Sequence, residues 1–453
     1  MSTLSTIAQP DIKVSPLRAI AAASMLAVGV CILAFAMSES NAANRDFICY
    51  WAAGHQLAHH ADPYDRTQIL QLERSAGFRD NRAFFMRNPP SAFFLALPLG
   101  FAGAKAGAVL WSLALIAALV SSIRLLWFMH GRSPDRLHML GYLFAPVLAC
   151  LLAGQIGIFI LFGVTLFLRF HTTQPYLAGA ALLLCSLKPH LFLPFGAVLL
   201  AWAVVRRAYR ILVGAAAAMT ASIGLSFLLD PAGWSQYGDM VRGQRLQGEF
   251  IPTISLMLRL LVDRNALWLQ LVPASAACLW ALWYFWKHRE QWDWLDHGSL
   301  LLLVSVMVAP YAWFTDEAVV LPAILVGLYR LSNSGRSLLP FGCVAVIALI
   351  EVLAGVILNS GFYVWTAPAW LAWYLWAARS KQRPTACRLG IALNRRSLST
   401  PKPIASSRSR CARRRTSSVS CCVSCQSRGH LKKRNVTYGK LHAGLITLPF
   451  SGA

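Results

Sequence analysis

The sequence predicts an all-α, polytopic membrane protein: a bundle of about twelve transmembrane helices with a long first outer loop that carries short helices. Three observations predict it. Hydrophobic residues make up 57% of the 453 residues, charged ones only 13%, and the mean hydropathy is +0.52, against roughly 25% charged residues in soluble domains. Apolar runs of spanning length recur along the chain. Lys and Arg collect in alternate short loops, as the positive-inside rule expects of cytoplasmic ones.

The runs lie near residues 17–37, 105–128, 137–153, 156–170, 176–187, 191–205, 210–229, 266–286, 298–311, 317–330, 338–357 and 362–378. The first is long enough to span and no small-residue cleavage site closes it, so it reads as a span and not a removable leader. Lys13 and Arg18 precede it, which puts the N-terminus in the cytoplasm. The segment 91–104, SAFFLALPLGFAGA, is apolar but short and broken by Pro98 and Gly100, so it is expected to dip into the membrane without crossing. Counting onward, the inner loops hold Arg132 and Arg136, then Arg206, Arg207 and Arg210, then Lys287 and Arg289, then Arg330 and Arg336. The third of these junctions also carries Glu290, Asp293 and Asp296 beside Lys287 and Arg289. Two long loops, 38–104 and 230–265, fall outside and are close to neutral.

The net charge of +24 is uneven. Residues 379–453 carry 17 Lys+Arg and no acid, whereas 1–378 carry 25 Lys+Arg against 18 acids. Two regions follow: an integral-membrane domain at 1–378 and a basic, Ser/Arg/Cys-rich cytoplasmic tail at 379–453. The tail lacks periodicity and cannot bury enough apolar surface to fold; it reads as disordered or as a shifted-frame readthrough. Its CxxC pair, Cys422 and Cys425, with His430 nearby, lacks the second pair a zinc site needs. The modest basic excess of the membrane domain suits anionic lipid at the cytoplasmic face and not nucleic acid. Six cysteines in that domain form no paired framework.

With this topology the polar stretches gather on the outer side. They are RDFICYWAAGHQLAHHADPYD (45–65), RNPP (87–90), AGQ (153–155), LKPH (187–190), DPAGW (230–234) and WFTDE (313–317). A polar site at one membrane face, roofed by long loops, suits an enzyme; transporters more often place their site at the midplane on broken helices.

In order along residues 40–330, these stretches, with NPPSAFFLALPLGF, Trp111, LLAGQIGIFILFGVTLFLR, LAGAALLLCSLKPHLFLPFGAVLLA, DPAGWSQY and VAPYAWFTDEAVVLPAIL, resemble glycosyltransferase family 87, polytopic transferases of the GT-C type. The resemblance implies a GT-C-like bundle whose first loop is periplasmic. It implies a hexosyltransferase in a bacterial inner membrane, with both termini cytoplasmic. A hexose, usually mannose, would pass with inversion from a polyprenyl-phosphate donor to a lipid or glycan acceptor at the outer face. An Asp in the first outer loop would be the catalytic base, and the matching residue is Asp46. The chain departs from relatives at Asn88, where many carry an aromatic, and at WFTDE, where some carry a His pair and others a Tyr-Asp that would align with Thr315-Asp316.

Displacement of a lipid phosphate needs a base for the acceptor hydroxyl and cations for the departing anion. Asp46 at the membrane border suits the base, since partial burial raises a carboxyl pKa toward operating pH; an Asp that merely N-caps the following helix would look the same. Tyr50 and Trp51 lie about one turn on and offer aromatic faces for a sugar. Arg45, Arg87 and Lys188 are the candidate phosphate cations, with interfacial snorkelling as the plainer reading of the arginines. Lys188 sits between two apolar runs, where a charge is costly. Gln155 and Asp316 are candidate sugar or acceptor contacts, though Gln155 could equally satisfy a helix end. No cofactor is expected: His55 and His59, an i,i+4 pair, could reach a divalent metal, but a solvated helix end accounts for them better. The Asp62-Pro63-Tyr64-Asp65 segment reads as a turn. Glu351, inside the span 338–357, keeps a second reading open, a secondary transporter or lipid-carrier flippase. A third is a degenerate, non-catalytic family member. Sugar, acceptor, linkage and oligomeric state are not readable from the chain.

Overall fold

The computed structural model describes residues 46–133, 136–243, 253–333, 344 and 360–379, all within the compact unit Met1–Pro384. The first span, Arg45, Glu351 and the tail beyond 379 lie outside the described residues. Among the described residues every regular element is a helix. They are α1 (Phe47–Ala58), α2 (Arg66–Ser75), α3 (Phe93–Gly100), α4 (Ala104–Met129), α5 (Ala145–Ala153), α6 (Gly157–Phe170), α7 (Pro175–Cys185), α8 (Leu193–Val205), α9 (Tyr209–Leu229), α10 (Gly233–Gly243), α11 (Ile254–Val262), α12 (Val272–His288), α13 (Asp296–Met307), α14 (Leu321–Asn333) and α15 (Thr366–Ala378).

The expected count of twelve full spans is not what the described residues give. Three helical stretches are long and apolar enough to cross: Ala104–Met129, Tyr209–Leu229 and Leu267–Gln291. At 1.5 Å per residue α4 is about 39 Å long, ample for a bilayer core of about 30 Å. The other runs are shorter or change pitch. Residues 137–153 divide into a 3-10 segment (Leu137–Leu143) and α5, and 317–330 into Phe314–Val320 and α14. Several α-segments begin at prolines, with Pro146 opening α5, Pro175 α7 and Pro194 α8. A proline's fixed φ starts a helix but cannot continue one that came before. The apolar 91–104 run forms the short α3, with Pro98 inside it, as its length predicts.

Buried hydroxyls tie the helices where packing alone leaves donors open. Ser305 Oγ accepts the Phe195 N–H at the start of α8 (3.1 Å), and Ser255 Oγ donates to the Val308 carbonyl (2.8 Å). Large apolar side chains stay exposed on α9 (Leu228, 83%) and α12 (Leu279, 72%; Trp283, 59%), the expected state of a lipid-facing surface, where the solvent is as apolar as leucine.

The two ends of the bundle differ in chemistry. At one end the basic junctions meet. Arg330 pairs with Asp296 at 2.6 Å, and Tyr374 Oη donates to the Asp296 carbonyl at 3.0 Å. Arg206 donates to the carbonyls of Arg289 (2.8 Å) and Glu290 (3.2 Å), and His130 lies over Tyr329 at 4.3 Å. At the opposite ends of these helices lie 46–65, 87–90, 154–155, 187–190 and 311–317, the stretches that build the site.

Candidate active site

α1 holds the first site residue. Its sequence, FICYWAAGHQLA, is apolar on all sides and ten of its twelve residues are buried, so it is a core helix and not an amphipathic roof. Gly54 sets its depth: a Cβ there would stand 2.0 Å from the Ala96 carbonyl oxygen, and one on Gly100 would stand 2.0 Å from the Gly54 oxygen. Backbone meets backbone, and α1 lies flush on α3.

Asp46 occupies the residue before α1, where a capping aspartate would sit, yet its side chain makes no cap bond. The carboxylate instead accepts a short hydrogen bond from Gln155 Nε2. Gln155 is aimed by the turn before it. Gly154 ends α5 with φ +73°, a left-handed conformation that glycine adopts without strain, and its carbonyl accepts Trp111 Nε1 at 2.7 Å. Asp46 is therefore held from across the bundle and does not cap α1.

Asn88 ties three stretches together. Its Oδ1 accepts from Tyr50 Oη (3.2 Å), its Nδ2 donates to the Leu187 carbonyl (2.8 Å), and its own carbonyl accepts from Tyr64 Oη (3.2 Å). Tyr64 comes from the expected turn, where Asp62 Oδ1 accepts the Tyr64 N–H at 2.8 Å and Asp65 caps α2 through Thr67 and Gln68. Tyr237, on α10, donates to the Arg87 carbonyl at 3.4 Å and leans on Tyr64. The Pro-Tyr turn and the second outer loop thus clamp the 87–88 backbone.

Lys188 and Asp316 form an ion pair of 2.6 Å whose side chains are only 12% and 0% exposed. Asp316 also accepts the Trp313 N–H at 2.9 Å and so closes the first turn of the 314–320 segment. Arg87 is half-buried and donates from Nη1 to Tyr311 Oη at 3.4 Å. Tyr311 Oη accepts Trp313 Nε1 at 2.6 Å, and the His190 ring stands edge-on to Tyr311 at 5.4 Å. Cys150 Sγ donates to the Thr315 carbonyl at 3.0 Å, which joins the 150–155 turn to the late motif.

Of the residues singled out from sequence, Asp46, Arg87, Gln155, Lys188 and Asp316 come together at this end, and Arg45 lies outside the described residues. Tyr50 and Trp51 are buried. Tyr50 stacks on Trp111 at 5.0 Å, and Trp51 Nε1 donates to the Ala102 carbonyl at 2.9 Å. Burial pushes the Tyr50 phenol well above its ordinary range, with nearby Cys49, Asp46 and Asp316 adding to it. His55 and His59 stack ring on ring at 4.2 Å, with His59 Nδ1 at 2.7 Å from the His55 carbonyl. Among the described residues there is no group of three or more His, Cys, Asp or Glu side chains that could hold a metal.

Sequence reading missed Asn88, His190, Tyr311 and Thr315 as site residues. All four lie in, or within two residues of, the polar stretches it named. The signal was there: uncharged polar groups at helix ends between long apolar runs.

Among the described residues, an all-helical bundle with three apolar helices of spanning length, a basic end and a buried polar cluster at the other end marks the chain as a membrane protein. Residues 85–310 match the family model of glycosyltransferase family 87. The chain belongs to that family, which makes it a membrane glycosyltransferase by family. Comparison with curated proteins and with solved structures found no match. The matched stretch begins beyond Asp46, so the case for that residue is geometric.

Proposed function

We propose that the chain transfers a hexose, mannose in the first instance, from a polyprenyl-phosphate donor to a hydroxyl of a lipid or glycan acceptor, with Asp46 as general base. The observation that carries this reading is the Asp46 carboxylate itself: it sits at a helix start without capping it and is held by Gln155 from a distant stretch of the chain. In the proposed step the acceptor oxygen bonds to the anomeric carbon, with inversion, as the bond from that carbon to the lipid phosphate oxygen breaks. The acceptor proton passes to Asp46, and polyprenyl phosphate leaves with the bonding pair. Arg87 binds the departing phosphate. Lys188 has three N–H donors and gives one to Asp316, so it can share the phosphate without releasing its partner. Asp316 acts here by holding Lys188. Tyr50 and Trp51 serve as the packed wall behind Asp46. No step is assigned to a metal.

The reading further sets the site at the outer face of a bacterial inner membrane, with the arginine-rich end and both termini cytoplasmic. The test is a transfer assay on purified full chain in nanodiscs, with radiolabelled polyprenyl-phosphate mannose and a membrane-lipid extract as acceptor. Label moving to a new product with release of polyprenyl phosphate supports the proposal. Donor that is never consumed, or that only crosses sealed vesicles unchanged, refutes it and favours a carrier.

A further inference from the structure

Buried side-chain polar atoms without a protein partner are uncommon, because each costs stability when left open. Among the described residues, the uncharged side chains that carry such an atom in the stretches that converge on the site are Gln155 (Oε1), Thr315 (Oγ1) and His190 (Nε2). They are linked in space. Gln155 holds Asp46 with its amide nitrogen; the 150–155 turn bonds the Thr315 carbonyl through Cys150; and His190 stands against Tyr311, next to the Lys188–Asp316 pair.

The donor and acceptor character of these atoms narrows what they complement. Gln155 Oε1 can only accept, so it cannot serve an anionic phosphate, whose oxygens also only accept. A hydrocarbon tail offers it nothing. Thr315 Oγ1 both donates and accepts, and His190 Nε2 does either according to tautomer. Groups that accept, that do both and that do either, on stretches joined at one end of the bundle, match ring hydroxyls, each of which donates and accepts. The phosphate-matched groups, Arg87 and Lys188, are separate side chains that only donate.

We propose that Thr315 and His190, with the free oxygen of Gln155, bind the hydroxyls of the transferred sugar and set which sugar is accepted. This rests on the glycosyltransferase reading above and deepens it, by separating a polyol subsite from the phosphate cations. It also predicts an unusual pairing of effects. A side chain kept polar in a buried place for a ligand costs the empty protein stability, so removing the polarity while keeping the shape should not harm the fold.

The experiment uses the full chain in nanodiscs with Thr315→Val and His190→Phe. Thermal unfolding is measured without ligand. Binding of a short-chain polyprenyl-phosphate mannose and of its single-deoxy analogues is measured by titration, alongside transfer. We expect each variant to unfold at or above the wild-type temperature and to bind the full sugar about tenfold more weakly. We expect each to lose the wild-type preference for the full sugar over one particular deoxy analogue, while an analogue lacking a different hydroxyl is still discriminated. Variants that bind and discriminate like the wild type overturn this inference and leave the transferase reading standing. A clear fall in the unfolding temperature of Thr315→Val also overturns it, because the hydroxyl would then have a structural partner. A wild type that neither binds nor transfers the sugar overturns both.

Discussion

Breaking the Lys188–Asp316 pair should be among the costliest single changes at the site. The two charged atoms are 2.6 Å apart, with Asp316 fully buried and Lys188 12% exposed. At an effective dielectric of 20 the gross attraction is about 6 kcal/mol, most of which offsets the removal of two ions from water. The net value of the pair is therefore small, but either ion left alone loses its compensation. Asp316→Asn strands the ammonium and should cost about 3–5 kcal/mol. The new amide oxygen can still accept the Trp313 N–H, so little of that loss belongs to the turn. Lys188→Met should cost a similar amount or less, because a stranded carboxyl can take up a proton. The double variant removes both charges, and its cost should fall short of the sum of the singles by about 2–3 kcal/mol. The assay is unfolding of the full chain in mild detergent for the four members of the cycle. Single costs of no more than about 1 kcal/mol, as for an exposed pair, or simple additivity would refute the reasoning.

Three further outcomes are expected. Glu73 is buried and both its oxygens accept the Phe84 N–H, at 3.3 and 3.1 Å; burial pushes its carboxyl up to about 7 from 4.5, with the Phe84 N–H pulling the other way. A raised acid favours the fold below its unfolded pKa and loses that contribution as pH rises through about 7. Stability should therefore fall by up to about 3 kcal/mol between pH 5 and pH 8, and Glu73→Gln should flatten that fall; a wild type with no slope in this window contradicts the assignment. Gly54→Ala should cost about 1–3 kcal/mol and weaken transfer, since the new Cβ meets the Ala96 carbonyl, while Gly196→Ala, with nothing within 4 Å, should be neutral or stabilising in the same thermal scan. A cysteine at Asp62→Cys should react with an impermeant thiol reagent from outside intact cells and one at Ala208→Cys should not; reversed labelling would move the site to the cytoplasm.

The class of fold was readable because bilayer physics is written into composition: long apolar runs, alternate basic loops and two long neutral ones. The two-ended chemistry followed, since Arg206, Arg330 and their partners meet at one end while Asp46, Lys188 and Asp316 meet at the other. The length of individual spans was less readable. A hydropathy window sums across Leu137–Ala153 without registering that the chain changes from 3-10 to α-helix within it. At the site, charge was the visible signal, so Asp46, Arg87 and Lys188 stood out. Asn88 and Thr315 did not, because an uncharged polar residue gains its meaning from what lies opposite it. The Lys188–Asp316 pairing spans 128 residues, and nothing local in either motif announces the other. Sequence also could not say whether Asp46 caps the helix it precedes, because that depends on the direction of the side chain, which turns to Gln155.

The most direct test of the central claim is Asp46→Asn, assayed for transfer from polyprenyl-phosphate mannose and for unfolding in the same preparation. Asparagine keeps an oxygen that can accept from Gln155, and the side chain is not a cap, so stability should change by no more than about 1 kcal/mol. Loss of a general base should lower kcat by about 10²–10⁴-fold. A stable variant slowed to that degree is the predicted result; a stable variant with wild-type kcat, or one that is slow only because it has lost its fold, would contradict the account.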